Sequence, residues 1–400
     1  MKVLIVNSLY EPYAVGGAER VVRTLAEGLR DAGDEPVVVS LTPERGRSAG
    51  EVSGVRVHYL PLHNLYWPYG REEPPGYAKP LYHAADALNP RMGHALGRVL
   101  DEERPALVHT HNLAGHSAAA WRAVRARGLP LVHTLHDYYL LCPRTSMFRD
   151  GRNCQGQHLD CRAFTLPRRR LSTLPDAVTG VSRFLLERHL EHGCFPGVRR
   201  REVIPNGVPL PDGEDGAPAP GAPGGSLRLG YIGQLTPVKG VSLLLEAVRG
   251  LPPGGWELRV AGKGAPEYEA ELRALAPPGV EFLGFTTPAD FFRHVDVLVV
   301  PSLWHEPFGM VIVEAFARGI PVLASRRGGI PEIVEDGRTG WLFDPDEPGS
   351  LRERLEALLR DPAAARARRD ACVARARDYD PERVLSAYRA LYTSVLREEP

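Results

Sequence analysis

Short β-branched runs alternate with amphipathic stretches twice along this chain, on either side of a segment with nothing to bury. That segment, Pro209–Ser226 (PLPDGEDGAPAPGAPGGS), is almost all Pro, Gly, Ala and Asp and predicts a linker or surface loop. Before it stand Val3–Val6, Pro36–Leu41, Val55–Leu60, Ala106–His109, Leu131–Leu135, Ala177–Val181 and Glu202–Pro205. After it come Leu227–Ile232, Glu257–Ala261, Val280–Leu283, Val295–Val300, Pro321–Ala324 and Gly340–Phe343. Between them, Glu19–Ala32, Val241–Val248 and Met310–Arg318 carry helical spacing. Strands that lack inside/outside alternation and are separated by helices must be covered on both faces, which predicts parallel sheets. The chain therefore reads as two doubly wound α/β domains, 1–208 and 227–379. Ligands in that architecture bind at the carboxyl ends of the strands, so the expected site lies in a cleft between the domains. A last helical pattern within 380–400 puts Val384, Tyr388, Leu391, Tyr392 and Val395 on one face. It needs a surface to cover it and is expected to pack back on the first domain.

Composition narrows the function classes. Lys+Arg and Asp+Glu both total 49 in 400 residues, a balance that argues against a dedicated nucleic-acid binder. No window approaches the roughly 18 apolar residues of a membrane-spanning helix. The opening run, Met1–Asn7, is too short for a signal peptide and reads as a first strand. Five cysteines make no disulfide framework, which predicts a reducing cytoplasm. Residues 1–208 carry a net charge of +6 and the remainder −6. That asymmetry suits peripheral contact with an anionic membrane face or an acidic acceptor, although arginines scattered over the surface explain it equally.

Several segments carry chemistry. Gly16-Gly17-Ala18-Glu19-Arg20 opens a helix after the first strand, where small residues and free N–H groups admit an anion; the plainer reading is a turn. The second domain opens in the same way, with Gly230-Tyr-Ile-Gly-Gln234 followed by Lys239-Gly240. Lys239 is one of only four lysines against 45 arginines, and it stands where an ammonium would neutralise a phosphate. In Pro301–Gly319 (PSLWHEPFGMVIVEAFARG), Glu306 precedes Pro307, expected near a helix's first turn. Glu314 lies eight residues on, among Val311, Ile312, Val313, Ala315 and Phe316. A carboxylate buried there needs donors: Arg318 one turn on, or the hydroxyls of a sugar. Gly328-Gly329 before Pro331 form a second backbone cradle or a simple turn with its cap.

Twelve of the fourteen histidines precede residue 193; His111, His116 and His136 follow predicted strands and are candidates for a site at the strand ends. Cys142, Cys154, His158 and Cys161 share one irregular stretch. A structural zinc ion would pin it, while free thiols are the simpler expectation.

Taken in order, GGAER (16–20), HTHN (109–112), TLHDYYLLCPR (134–144), VSRF (181–184), IPNGV (204–208), the KG of 239–240, the Glu306-x7-Glu314 pair and GGIPEIVEDGRTGWLF (328–343) resemble the retaining glycosyltransferases of family 4. The resemblance implies the GT-B fold, with two Rossmann-like domains facing across a cleft. It implies a nucleotide-diphosphate sugar as donor substrate, UDP- or GDP-linked, bound mainly by the second domain. The acceptor would be a polysaccharide, lipid-linked saccharide or glycolipid hydroxyl, and no metal or other cofactor would be required. Carried over by residue, Glu314 would hold the ribose and Glu306 would touch donor-sugar hydroxyls. Lys239 would bind the diphosphate, amides near Phe308–Gly309 and at Gly17 would stabilise phosphate and sugar charge, and His136 would lie beside the reacting face. The family usually has arginine where this chain has Gln234, which removes one phosphate clamp; Lys263, Arg326 or Arg327 are the candidates to compensate. Two other readings remain open. A sugar-nucleotide epimerase of related fold would act with no acceptor present, and a non-catalytic nucleotide-sugar-binding protein would bind without turnover.

Overall fold

A computed structural model describes residues 1–14, 16–70, 74–211 and 226–397. The expected linker lies outside the described residues except at Pro209–Pro211 and Ser226. The first ten strands are β1 (Lys2–Val6), β2 (Glu35–Thr42), β3 (Ser48–Val52), β4 (Val55–Pro61), β5 (Leu107–Thr110), β6 (Leu131–Leu135), β7 (Phe148–Arg149), β8 (Arg152–Asn153), β9 (Ala177–Gly180) and β10 (Arg200–Val203). Six more follow: β11 (Leu227–Ile232), β12 (Trp256–Ala261), β13 (Val280–Gly284), β14 (Val297–Val300), β15 (Val322–Ser325) and β16 (Gly340–Phe343). Two compact units result. One comprises Met1–Met147, Cys154–Gly207 and Pro381–Pro400, the other Phe148–Asn153 and Val208–Asp380.

The first unit is built on an eight-stranded sheet among the described residues, in the order β10-β9-β6-β5-β1-β2-β4-β3. Its pairings are parallel except that of β3 with β4. Val3–Val6 and Val37–Val39 are wholly buried, which explains why these strands read as unbroken apolar runs. The edge strand β3 (SAGEV) escaped the sequence reading because it is almost wholly exposed and has no apolar run to announce it. Helix Gly17–Asp31 covers one face with Val22, Leu25, Ala26 and Leu29. The final helix, Pro381–Arg397, joins the same core through Val384, Tyr388, Leu391, Tyr392 and Val395, as its spacing predicted. Buried hydroxyls lock it in place: Tyr392 Oη lies 2.7 Å from His109 Nδ1 and Tyr388 Oη 3.1 Å from Thr134 Oγ1.

The second unit has a six-stranded, all-parallel sheet ordered β13-β12-β11-β14-β15-β16. Its first strand therefore lies between its second and its fourth. The direction of winding reverses between β11 and β14, the position at which open parallel sheets bind ligands. The antiparallel pair β7–β8 also belongs to this unit, which a division of the sequence at residue 208 overlooks; two-residue strands carry no readable pattern. Among the described residues no helix is long and apolar enough to cross a membrane.

Candidate functional site

The loops leaving β11 and β14 are held against each other by a glycine. Residues after β11 pass through the short 3-10 turn Pro237–Lys239 into Gly240, whose φ is +72°. A Cβ there would lie 1.9 Å from the Pro301 carbonyl oxygen, so no other residue permits the contact. The Leu303 N–H donates to the Val238 carbonyl across the same junction (2.9 Å). This proximity brings Lys239 to Glu306: Nζ lies 2.6 Å from Oε1, and the Ser302 hydroxyl donates to the same oxygen at 2.6 Å. The ammonium also sits 5.2 Å from the Trp304 ring centre, a favourable place for a cation. Burial alone would raise the Glu306 carboxyl. The charge of Lys239, with hydrogen bonds from Lys239 and Ser302, outweighs that and holds it below the ordinary value. Glu306 is thus an ionised carboxylate, 8% exposed, at the switch point of the sheet.

Its backbone is braced as firmly as its side chain. The Gly329 N–H donates to the Glu306 carbonyl (2.7 Å), and Gly328 has φ +58°. A Cβ on Gly328 would stand 2.1 Å from the Glu306 oxygen and 2.6 Å from its nitrogen. The Gly328–Gly329 pair therefore supports Glu306. Gly328→Ala is expected to cost about 2–4 kcal/mol, because backbone, not a flexible side chain, must move. Urea unfolding measures it, and a loss under about 0.5 kcal/mol would contradict the packing argument.

Pro307 does not open a helix. The helix is Met310–Phe316, capped by Gly309 at φ +124°, so Pro307 lies in the loop that precedes it. Phe308 is buried with its ring edge-on to Tyr379 (5.6 Å). Glu314 lies in this helix at 8% exposure. Arg318 Nη1 donates to the Glu314 main-chain carbonyl at 2.8 Å, closing the helix's C-terminal end, and its guanidinium carbon lies 5.2 Å from the Phe292 ring centre.

The phosphate candidates are placed unequally. Gln234 is exposed just beyond β11, where its carbonyl accepts from the Tyr231 hydroxyl (2.8 Å). Lys263 is exposed beyond β12, and its carbonyl accepts from the Leu235 N–H (2.9 Å), which sets it beside Gln234 along the sheet's end. Arg326 is engaged by Asp336 at 2.5 Å. Arg327 pairs with Asp346 and donates to the Leu303 carbonyl (3.2 Å), so it serves the Glu306 loop.

In the first unit, Gly17 is the first residue of helix Gly17–Asp31. Glu19 is buried there, with an oxygen 3.0 Å from where a Gly16 Cβ would be. Burial raises its carboxyl, against the amides of Glu19 and Gly16, so the chain itself supplies a carboxylate at this helix start. His136 follows β6, with Nε2 2.8 Å from His111 Nδ1. The His111 ring in turn lies tilted by 41° against that of His109, their centroids 4.0 Å apart. His116 bonds through Nε2 to the Asn7 carbonyl (3.1 Å). The stretch with the cysteines holds no metal cage. None of the five cysteines is in a disulfide, and among the described residues no three His, Cys, Asp or Glu groups are placed to hold a metal ion.

Residues 16–207 match the description "Glycosyl transferase 4-like domain" and residues 215–379 match "Glycosyl transferases group 1". A protein of Klebsiella pneumoniae described as an uncharacterized 42.6 kDa protein in cps region is 32% identical over 83% of this chain and 87% of its own length. The chain belongs to glycosyltransferase family 4. The D-inositol 3-phosphate glycosyltransferase of Streptomyces avermitilis is 30% identical over 73% of this chain and 66% of its own length. The structure of Anabaena HepE in complex with UDP and glucose superposes with a TM-score of 0.73 at 21% identity, covering 98% of this chain and all of HepE. The fold is GT-B, and the protein is a glycosyltransferase.

The histidines of this glycosyltransferase make its stability depend on pH. Burial lowers His109 and His111 well below the ordinary value, His133 to about 3, and His116, His136 and His189 to about 4. Each is neutral when folded but protonates near pH 6.5 when unfolded. Its contribution is therefore whole above about pH 6.5 and shrinks on acidification, by about 1.4 kcal/mol per unit per imidazole. Asp86 and Asp137, raised by burial to about 6, oppose this below pH 6, which leaves the histidines in the majority. Thermal melts at pH 7, 6 and 5 are expected to show a steady fall in Tm. A Tm unchanged between pH 6.5 and 5 would contradict the burial of neutral imidazoles.

Proposed function

We propose that this family 4 glycosyltransferase transfers a sugar from a nucleotide diphosphate to a hydroxyl acceptor with retention of anomeric configuration. The observation that carries the reading is the Lys239–Glu306 pair at the switch point of the second sheet, with Glu314 one short helix away. In this reading the diphosphate meets Lys239 and the amides around Phe308 and Gly309, with Gln234 and Lys263 at the rim. Arg326 joins them only by leaving Asp336. Until the donor arrives, Lys239 offsets the charge of Glu306, which reduces that carboxylate's repulsion of a phosphate. Glu314 accepts from ribose hydroxyls, Glu306 from hydroxyls of the donor sugar, and His136 lines the sugar's reacting face. The bond from the anomeric carbon to the phosphate oxygen breaks, a bond to the acceptor oxygen forms on the same face, and the acceptor's proton passes to the departing diphosphate. Positive charge and N–H dipoles fixed beforehand at that leaving group supply most of the rate enhancement.

UDP- or GDP-linked donors fit the reading, and the HepE complex with UDP and glucose supports a nucleotide donor. A saccharide, lipid-linked saccharide or glycolipid is the acceptor class, met in the cytoplasm or at the inner face of a membrane. Melting-temperature shifts across UDP-, GDP- and ADP-sugars test the donor, since a ligand that binds the folded state stabilises by mass action. No shift with any of them would reject the reading, and a product with inverted configuration would reject the retaining mechanism. Glu314→Ala is expected to weaken the stabilising donor about 10–100-fold, the loss of charge-assisted hydrogen bonds. Titration calorimetry checks this, and unchanged affinity would remove Glu314 from its role.

A further inference from the structure

We infer that Asn153 is a positioning residue for Glu306, acting from the β7–β8 hairpin through the backbone of the loop after β14. The inference rests on the proposed role of Glu306. The hairpin turns at Asp150-Gly151, both with positive φ (52° and 75°), which is the primed turn that suits a two-residue hairpin. Such a turn fixes the register Phe148 to Asn153 and leaves Asn153 at the end of β8. Its amide is then used at both ends. Nδ2 donates to the Leu303 carbonyl at 2.7 Å, and Oδ1 accepts from the His305 N–H at 2.8 Å. Residues Leu303, Trp304 and His305 immediately precede Glu306, so this two-point grip sets the direction from which the chain enters the carboxylate's position.

The grip is reinforced on its far side. His305 Nδ1 accepts from the Gly328 N–H (3.2 Å), and Arg327 Nε donates to the same Leu303 carbonyl that Asn153 holds (3.2 Å). Trp304, the residue spanned by the grip, presents its ring 5.2 Å from the Lys239 ammonium that pairs with Glu306. No part of Asn153 is within the Lys239–Glu306–Ser302 set; its influence passes through the loop. Only an amide performs both tasks, because a carboxylate accepts from His305 but cannot donate to Leu303. A shift of about 1 Å in a positioned group costs about a hundredfold in rate, which sets the size of the expected effect.

Four variants test this: Asn153→Ala, Asn153→Asp, Glu306→Ala, and Asn153→Ala combined with Glu306→Ala. Amide exchange needs no substrate. Asn153→Ala is expected to speed exchange at least tenfold at His305 and its neighbours in 303–306, with core strands β11 and β12 unchanged. Turnover is followed as nucleotide released from whichever UDP-, GDP- or ADP-sugar raises Tm most. Here Asn153→Ala is expected to lower kcat about 10–100-fold with KM within about threefold, and Asn153→Asp to fall between it and wild type. In the Glu306→Ala background the same change is expected to cost less than about twofold, since a residue that acts through Glu306 has nothing left to act on. Wild-type exchange at His305, or a full additional loss in the double variant, would overturn the inference. If Glu306→Ala alone left turnover intact, the proposed role of Glu306 would fail instead, while the exchange result would still report whether Asn153 holds the loop.

Discussion

Glu306→Ala is expected to lower sugar transfer by about 10²–10³-fold while changing donor KM by no more than about fivefold. Glu306 is already ionised and fixed before any ligand arrives. Its Oε1 receives both Lys239 and Ser302 at 2.6 Å, and its backbone is clamped by Gly329. In the role proposed for it, such a carboxylate would stabilise positive charge developing on the sugar, so its removal should be felt in the transition state more than in the ground state. Steady-state kinetics with the donor that stabilises the fold separates the two parameters. A variant with wild-type kcat and a greatly raised KM would assign Glu306 to ground-state binding.

Lys239→Ala is expected to act on both binding and stability. Donor affinity falls about 10–100-fold through the lost contact to the diphosphate. Stability at pH 7 falls by about 3 kcal/mol because Glu306 is left buried beside no cation, in the lower part of the range for breaking such a pair since Lys239 is partly exposed. The pH dependence identifies the cause. In the wild type the Glu306 carboxyl is held below its ordinary value of about 4.5, so its stabilising contribution is present above that pH and fades as pH falls through the folded value. Without Lys239, burial dominates and raises the carboxyl, so the folded variant takes up a proton more readily than the unfolded chain. The stability gap between variant and wild type should therefore narrow between pH 7 and pH 4. The buried histidines titrate alike in both proteins and cancel. A gap constant across that range would show that Glu306 is not the group left uncompensated.

Much of this was legible in the sequence because it depends on order along the chain. The apolar runs of β1, β11 and β16 marked buried parallel strands, and the tyrosines and leucines of Pro381–Arg397 marked a helix that needs a core. The rarity of lysine and the Glu306-x7-Glu314 spacing singled out Lys239 and Glu306, whose side chains meet at the switch point. What escaped depends on contact across the fold. That Lys239 binds Glu306 follows from the approach of Gly240 to Pro301, which no spacing of 67 residues announces. Gly328-Gly329 read as a cradle or turn because their use, to support a main-chain carbonyl 23 residues earlier, is invisible until the loops are side by side. Asn153 has no periodic context at all. Its only sequence signal is the Asp150-Gly151 turn within a stretch otherwise read for its cysteines.

The central claim is that the second unit binds a nucleotide sugar at the reversal of its strand order. A crystal structure with the nucleotide sugar that most raises Tm tests it most directly. The account predicts phosphate oxygens within about 3 Å of Lys239 Nζ, ribose hydroxyls on the Glu314 carboxylate and sugar hydroxyls facing Glu306. A nucleotide bound elsewhere, with the Lys239–Glu306 pair undisturbed and Glu314 untouched, would contradict it.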